Sequence, residues 1–303
     1  MSIIIRNKKY VVTGGSGFLG KELIKTIINN GGLVRTVARN EGKLIELTQL
    51  FGNKIEIFTG DITNKFTVEQ VMNDEIEGVF HLAAYKHVGM AEKFSLECIN
   101  SNVVGTLNVL DVATRKGVKF ILGISTDKAA QVVGTYGASK LLMEKIFHQY
   151  ECNYPDIQYR IVRYGNVLYS TGSVLCKWKV LIEQGKEVIV TEPKATRFFW
   201  SIDQAIDLIF DCLENAKNSQ PYVPKMKAMS VGSLLEAMIK KYAPAGVEIP
   251  IKIIGLQAGE NFHEKILEQG PYSNEVELFT IEEIIINLTL CVYENCNFIN
   301  NTQ

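Results

Sequence analysis

The sequence predicts an α/β fold, a doubly wound parallel sheet with a smaller C-terminal lobe, and three observations carry that expectation. A short β-branched run, Tyr10-Val11-Val12-Thr13, ends in a turn holding Gly14, Gly15, Gly17 and Gly20, and a helical apolar pattern follows at once. Apolar runs and helix-spaced segments then alternate to about Arg163, the order that parallel strands and their crossover helices require. The composition, 47% hydrophobic and 21% charged, is that of a folded globular chain.

Each element has its own local reason. Tyr10 to Thr13 reads as the first strand, and Lys21 to Ile28 carries the i, i+3, i+4 apolar spacing of a helix. After Gly31-Gly32 a second strand runs from Leu33 to Ala38, and a helix with apolar Leu44, Ile45, Leu47 and Leu50 follows. A third strand, Lys54 to Phe58, stops at Gly60-Asp61. Gly78 to Ala84 reads as the fourth strand, Asn102 to Ala113 as a helix, Lys119 to Ile124 as the fifth strand, and Tyr136 to Gln149 as a helix. This order is that of the Rossmann-type dinucleotide-binding architecture.

Past Arg163, turn signals at Thr171-Gly172, Glu192-Pro193, Gln220-Pro221, Ala243-Pro244 and Gly270-Pro271 cut the chain into short segments. The division expected is a cofactor domain over residues 1–168 and a substrate-binding lobe over residues 169–303, with a helix near Asp203 to Asn215 returning to the first domain. The Asn-rich end, Asn295 to Gln303, is expected to fray.

Several function classes drop out. Lys+Arg 32 against Asp+Glu 33 leaves a net charge of −1, with no overall field to gather nucleic acid or anionic membrane. The six cysteines form no CxxC pair, which speaks against zinc and against a disulfide framework, so no metal site is expected and the compartment reads as a reducing cytosol. The opening Met-Ser-Ile-Ile-Ile-Arg is too short for a signal core, and no run of about 18 apolar residues occurs. A soluble cytoplasmic protein is expected.

The glycines count as Gly15-x-Gly17-x-x-Gly20 or as Gly14-x-x-Gly17-x-x-Gly20, and either count allows a tight turn, close backbone approach to a pyrophosphate and a helix N-terminus facing the anion. About twenty residues on, where an acidic side chain would accept from the adenosine ribose of NAD, the chain has Ala38-Arg39-Asn40. A guanidinium there suits a 2′-phosphate, which favours NADP over NAD. A solvated strand-end arginine is the plainer alternative, and Arg35 could share the task. Asp61 is placed to meet the adenine edge.

Tyr136 and Lys140 stand four apart on one helix face. A phenol titrating near 10 needs roughly 4 kcal/mol of help to act as a base near neutrality, which a neighbouring ammonium and a nicotinium ring can supply. Thr126-Asp127-Lys128 lies at the carboxyl end of the fifth strand, where ligands of such sheets bind. On an extended backbone Asp127 and Lys128 would point to opposite sides, meeting a sugar from two angles. A loop ion pair is the alternative. Dehydrogenation needs only a tyrosine, a hydroxyl and a nicotinamide, so a further acid and base imply a further proton transfer.

These segments, together with His81-Leu82-Ala83-Ala84-Tyr85-Lys86-His87-Val88, Tyr136-Gly137-Ala138-Ser139-Lys140, Val162-Arg163-Tyr164-Gly165-Asn166-Val167, Ala195-Thr196-Arg197-Phe198 and Gly259-Glu260-Asn261-Phe262-His263-Glu264, resemble the extended short-chain dehydrogenase/reductases. Within them the resemblance is to the UDP-N-acetylglucosamine 4,6-dehydratases, including the C5-inverting type, and covers the chain to about Glu268. It implies an internal redox cycle. Tyr136, with Lys140 and Thr126, would take the 4-hydroxyl proton, Lys128 would remove the C5 hydrogen, and Asp127 would protonate the departing 6-hydroxyl. Such a scheme needs Asp127 protonated, so that burial outweighs its lysine neighbour. The resemblance also lines the cofactor site with Ser16, Phe18, Leu19, Ile62, Leu82, Ala83 and Ala84 beside the glycines, Arg39 and Asp61. It assigns Lys86 to the sugar, Asn166 and Arg197 to the diphosphate, and Ser173, Val174, Thr191 and Glu260 to the uridine and phosphate pocket. The implied partners are a UDP-sugar and further copies of this chain. Two departures stand out: Gln257-Ala258-Gly259-Glu260-Asn261 where relatives read Arg-Pro-Gly-Glu-Lys, and Ser170-Thr171-Gly172-Ser173 where they read Ser-Arg-Gly-Ser.

Overall fold

Parallel strands fed by crossover helices build the first part of the computed structural model, which describes residues 4–73 and 75–290. The chain runs β1 (Lys9–Thr13), α1 (Phe18–Asn29), β2 (Leu33–Ala38), α2 (Glu41–Phe51), β3 (Ile55–Thr59), α3 (Lys65–Val71) and β4 (Gly78–His81). It continues through α4 (Val88–Lys93), α5 (Ser95–Ile99), α6 (Gly105–Arg115), β5 (Phe120–Thr126), α7 (Thr135–Asn153) and β6 (Gln158–Tyr164). The later elements are β7 (Asn166–Val167), α8 (Val174–Glu183), β8 (Val188–Val190), β9 (Thr196–Trp200), α9 (Ile202–Asn215), β10 (Pro221–Tyr222), β11 (Ala228–Ser230), α10 (Val231–Tyr242), β12 (Ile251–Ile253) and α11 (Ile281–Leu290).

The central sheet has seven parallel strands in the order β10-β6-β5-β4-β1-β2-β3. Strand order reverses between β1 and β4, and such a sheet opens a crevice at the carboxyl ends there. Successive side chains alternate faces. Tyr10 and Val12 pack with α1, α2 and α9, whereas Val11 packs with α3, α6 and α7. Burial of each such apolar side chain contributes on the order of 2 kcal/mol, so both faces hold the sheet. The later chain has its own core around Trp178, Leu235 and Ile284, with a sheet ordered β11-β9-β7 and a pair β12-β8. Among the described residues, no helix is long and apolar enough to cross a membrane.

Some details differ from the sequence expectation. Leu44 and Leu47 are buried in α2, but Ile45 and Leu50 are 54% and 56% exposed. The fourth strand stops at His81 because the Thr13 hydroxyl accepts from the Leu82 and Ala83 amides, drawing the chain off the sheet. The helix expected from Asn102 begins with a π-helical turn, Asn100–Val104, before α6. Strand β6 escaped detection because Arg160 and Arg163 interrupt its apolar run, yet both are buried. Cys291, Cys296 and the segment Asn295 to Gln303 lie outside the described residues.

Candidate active site

The carboxyl ends of β1, β2, β4 and β5 meet the C-terminal elements at one cleft of about 850 Å³. Apart from Gly15 and Arg35, every residue named above for cofactor, sugar or nucleotide contact lies on its wall, and so do Thr126, Lys128, Tyr136 and Lys140. Asp127 does not: it is 1% exposed and sits behind the wall.

At one end, β1 turns through Gly14, whose φ of +71° and whose missing Cβ, which would stand 2.9 Å from the Ala83 backbone, require glycine. A Cβ on Gly20 would meet the Gly14 carbonyl at 2.6 Å, so this glycine lets α1 close onto the turn. No side chain caps the N-terminus of α1 at Gly17, and Ser16 to Leu19 line the cleft. Free first-turn N–H groups on the positive end of a twelve-residue helix suit a pyrophosphate. The turn therefore fits a dinucleotide. Arg39 at the end of β2 is exposed and lies 3.6 Å from Asp61. Arg35 does not share its position: it is 5% exposed, bonded to Asn73 and Glu56, and stacked over Phe58.

Below this site His81 is pinned between the Thr13 and Thr106 hydroxyls at 2.8 and 2.9 Å. Burial and the charge of Lys140 push its imidazole down to about 3, so it stays neutral and structural. Asn102 ties the loop after β4 to α7, bonding the Tyr85 amide and carbonyl and the Ser139 hydroxyl. Across the cleft Lys86 donates to the Thr171 carbonyl at 3.1 Å, and Gly172 packs on His87. At the Gln257–Asn261 departure, Glu260 accepts from the Gln257 amide at 3.0 Å.

The reacting end is organised differently from the sequence expectation. Asp127–Ala129 is a 3₁₀ turn, not a continued strand, and the Thr126 side chain caps it. Asp127 and Lys128 consequently converge instead of diverging. Lys128 Nζ donates to Asp127 Oδ1 at 3.1 Å and to Glu264 Oε1 at 3.0 Å. The Thr126 hydroxyl donates to Asp127 Oδ1 at 2.9 Å. Arg197 Nε stands 3.4 Å from Glu264 Oε1, and its Nη1 donates to the Phe262 carbonyl, so this guanidinium is tied into the cluster.

Burial pushes the Asp127 carboxyl up, but the charge of Lys128, the neighbouring Glu264 carboxyl and the hydrogen bonds from Lys128 and Thr126 outweigh it and hold Asp127 down. Lys128 is held in its charged form: burial opposes this, and Asp127 and Glu264 overcome it. The protonated Asp127 that the implied scheme needs is thus not the resting form. Glu264 goes the other way, pushed up to about 8 by burial and by the charge of Asp127. Burial also raises the Tyr136 phenol to about 12, against Lys128 and Thr126, which pull it down. Lys140, donating to the Ile124 carbonyl at 2.7 Å, is lowered by burial to about 8.

Sequence reasoning missed two features here. Glu264 was part of a motif without a role, since 136 residues separate it from Lys128. The other is the buried Arg163, which pairs with Glu144 of α7 at 2.6 Å and Glu268 at 2.7 Å and donates to the Ile266 carbonyl. Ser125 donates to the same Glu144, so one network fixes the segment carrying Glu264 against β5 and α7. Removing one partner from a buried pair costs about 3–5 kcal/mol. Arg163→Met is therefore expected to destabilise the protein by that amount, read from the denaturant midpoint, and an unchanged midpoint would show the network to be dispensable.

The chain matches the family described as polysaccharide biosynthesis protein over residues 10–285. It is 36% identical over 293 residues to a Methanocaldococcus jannaschii protein described as an uncharacterised membrane protein, covering 94% of this chain and 86% of the relative. A Campylobacter jejuni protein named UDP-N-acetylglucosamine 4,6-dehydratase (inverting) is 34% identical over 267 residues, 86% of this chain and 78% of the relative. A Rickettsia akari protein named UDP-glucose 4-epimerase is 33% identical over 269 residues, with the same 86% and 78% coverage. Among solved structures, Pen from Bacillus thuringiensis superposes with a TM-score of 0.87 at 27% identity, covering 94% of this chain and 99% of that one.

Proposed function

The chain belongs to the polysaccharide biosynthesis protein family, within the extended short-chain dehydrogenase/reductases, and on that premise we propose that it is a hydro-lyase, a UDP-N-acetylglucosamine 4,6-dehydratase. The product is a UDP-2-acetamido-2,6-dideoxy-hexos-4-ulose, inverted at C5, for the synthesis of deoxyamino-sugar glycans. The observation that carries this reading is the Lys128 ammonium bonded to Asp127 at the cleft that Tyr136 lines. A 4-epimerase has no task for such a pair.

What a bound nicotinamide dinucleotide supplies is reversible hydride storage between C4 and C6 of the sugar. The rest is proton transfer by side chains. Tyr136 Oη takes the proton of the 4-hydroxyl; bringing its phenol from about 12 to neutrality costs on the order of 7 kcal/mol, and Lys128 and the positive ring offset part of that cost. The resulting ketone acidifies C5. Moving one proton across the 3.1 Å hydrogen bond from Lys128 to Asp127 converts the ion pair into a neutral amine and a neutral acid. The amine takes the C5 proton, the acid gives its proton to the departing 6-hydroxyl, water leaves, and the ion pair is restored. Thr126, on the cleft wall and bonded to Asp127, links the buried acid to the sugar and to Tyr136. Hydride return to C6 leaves C5 short of one proton. The proton held by Tyr136 passes through the Thr126 hydroxyl to Asp127 and from Asp127 to C5, on the face opposite the one Lys128 deprotonated. This inverts C5 and restores Tyr136, Asp127 and Lys128 to their starting protonation.

In this reading residues 1–168 with α9 hold the cofactor, and residues 169–303 the UDP-sugar. Arg39 contacts the 2′-phosphate of NADP. Arg39→Ala is expected to weaken NADP binding about tenfold and leave NAD nearly unaffected, a loss of about 1.4 kcal/mol typical of an exposed charge-assisted contact. Titration with both cofactors checks it; an unchanged preference removes Arg39 from that role. The same reading takes the protein as cytoplasmic and as a homo-oligomer, the second supported by exposed Leu96, Leu107 and Leu142 on α5, α6 and α7.

The test is an NMR time course of the purified protein with UDP-N-acetylglucosamine in deuterated water. Replacement of the C6 hydroxymethyl signals by a methyl signal is expected. Formation of the C4 epimer alone would replace the lyase reading with the epimerase one.

A further inference from the structure

Two buried oxygens in the catalytic cluster lack a donor: Asp127 Oδ2 and Glu264 Oε2. Their partner oxygens, Oδ1 and Oε1, are both bonded to the same ammonium, Lys128 Nζ. Held by one ammonium at 3.1 and 3.0 Å, the two carboxyls are close neighbours, and each is almost without solvent contact, 1% and 2% exposed. Two bare carboxylates on one ammonium in a dry site repel and leave both oxygens unsatisfied, whereas one proton between them supplies the missing donor.

We propose that Asp127 and Glu264 hold a single proton between them at neutral pH, and that Glu264 is thereby a positioning residue of the elimination step. This inference rests on the dehydratase reading and deepens it. With Glu264 ionised, two carboxylates would fix Lys128 as a permanent cation, unable to take the C5 proton. With the shared proton in place, Lys128 is balanced by one negative charge and can pass its own proton to Asp127. Glu264 hands no proton to the sugar; its neutral form leaves Lys128 free to act.

The charged and titratable groups facing the pair are Lys128 beside it, Arg197 from β9 and Tyr136 from α7. The neighbouring His263 bonds Thr196 instead, and the Glu264 amide donates to Ser273. Neither supplies the missing proton. The sign of the pH effect follows. Burial and the charge of Asp127 raise Glu264, so the shared proton is present at neutral pH and lost in alkali, and elimination slows as pH rises through that loss.

Glu264→Gln is the decisive variant, because an amide copies the neutral acid: its oxygen accepts from Lys128 and Arg197, and its N–H donates to Asp127. Single-turnover kinetics separate the steps, since reduced-cofactor absorbance appears with C4 oxidation and decays after elimination. The decay in Glu264→Gln is expected to stay within about threefold of wild type at neutral pH and to lose the alkaline decline of the wild type. Abolished decay, or an unchanged alkaline decline, would overturn the proposal. Infrared spectroscopy of the protein alone gives an independent reading. A protonated-carboxyl band at neutral pH is expected in wild type and absent from both Glu264→Gln and Asp127→Asn; a band that persists in Asp127→Asn would show that no proton is shared. If wild type forms no methyl group, the dehydratase reading fails while the infrared result still decides the shared proton.

Discussion

Asp127→Asn is expected to cut methyl formation by about 10²–10⁴-fold, the usual worth of a positioned general acid, while hydride still leaves C4. The substitution keeps shape and most contacts, since the amide oxygen can accept from Thr126 and Lys128 as the carboxylate does. It cannot carry the proton that the departing hydroxyl requires. With Asp127 neutralised, Glu264 loses the charge that raises it and ionises under Lys128 and Arg197, so the lysine keeps a counter-charge. The enzyme should therefore stop after oxidation, with reduced-cofactor absorbance that forms and persists in a single turnover. Methyl formation at the wild-type rate would remove Asp127 from the role of acid.

Tyr136→Phe is expected to lose activity by about 10²–10⁴-fold as well, but one step earlier, so that no reduced cofactor appears. Only the phenolic oxygen is removed, from a side chain on α7 whose neighbours Gly137, Ser139 and Lys140 are buried, and the fold should hold. The unfolding midpoint should stay close to wild type. Together the two variants order the reaction: one halts at the ketone and the other never reaches it. Substantial C4 oxidation by Tyr136→Phe would mean that another group receives the hydroxyl proton.

The legible parts of this molecule are those written in local pattern. Tyr10-Val11-Val12-Thr13 and Leu33 to Ala38 are strands because β-branched residues buried on both faces leave a continuous apolar run. The glycine turn is legible because only a glycine at position 14 permits the backbone its positive φ against Leu82 and Ala83, just past β4. Ile45 and Leu50 misled because three to four apolar residues per two turns suffice for a helix stripe, and α2 buries only Leu44 and Leu47. Arg35 and Arg39 are four residues apart on or beside one strand, but only the tertiary fold buries the first and exposes the second. The reacting cluster was half legible. Thr126, Asp127 and Lys128 stand out by their place at a strand end, yet the sequence does not show that Lys128 holds the Asp127 carboxyl down in the resting site. An extended backbone was assumed where a 3₁₀ turn brings acid and amine together. Glu264 and the Arg163 network are long-range contacts with no periodic signature, so nothing short of the folded chain displays them.

The most direct trial of the account follows a label rather than a rate. UDP-N-acetylglucosamine carrying deuterium at C4 should yield a product whose C6 methyl group holds that deuterium, with no net reduction of the cofactor. Deuterium still on C4 of the product, or washed out into water, would contradict the account, because a hydride stored and returned within one closed site is what the whole arrangement of Tyr136, Lys128 and Asp127 is taken to serve.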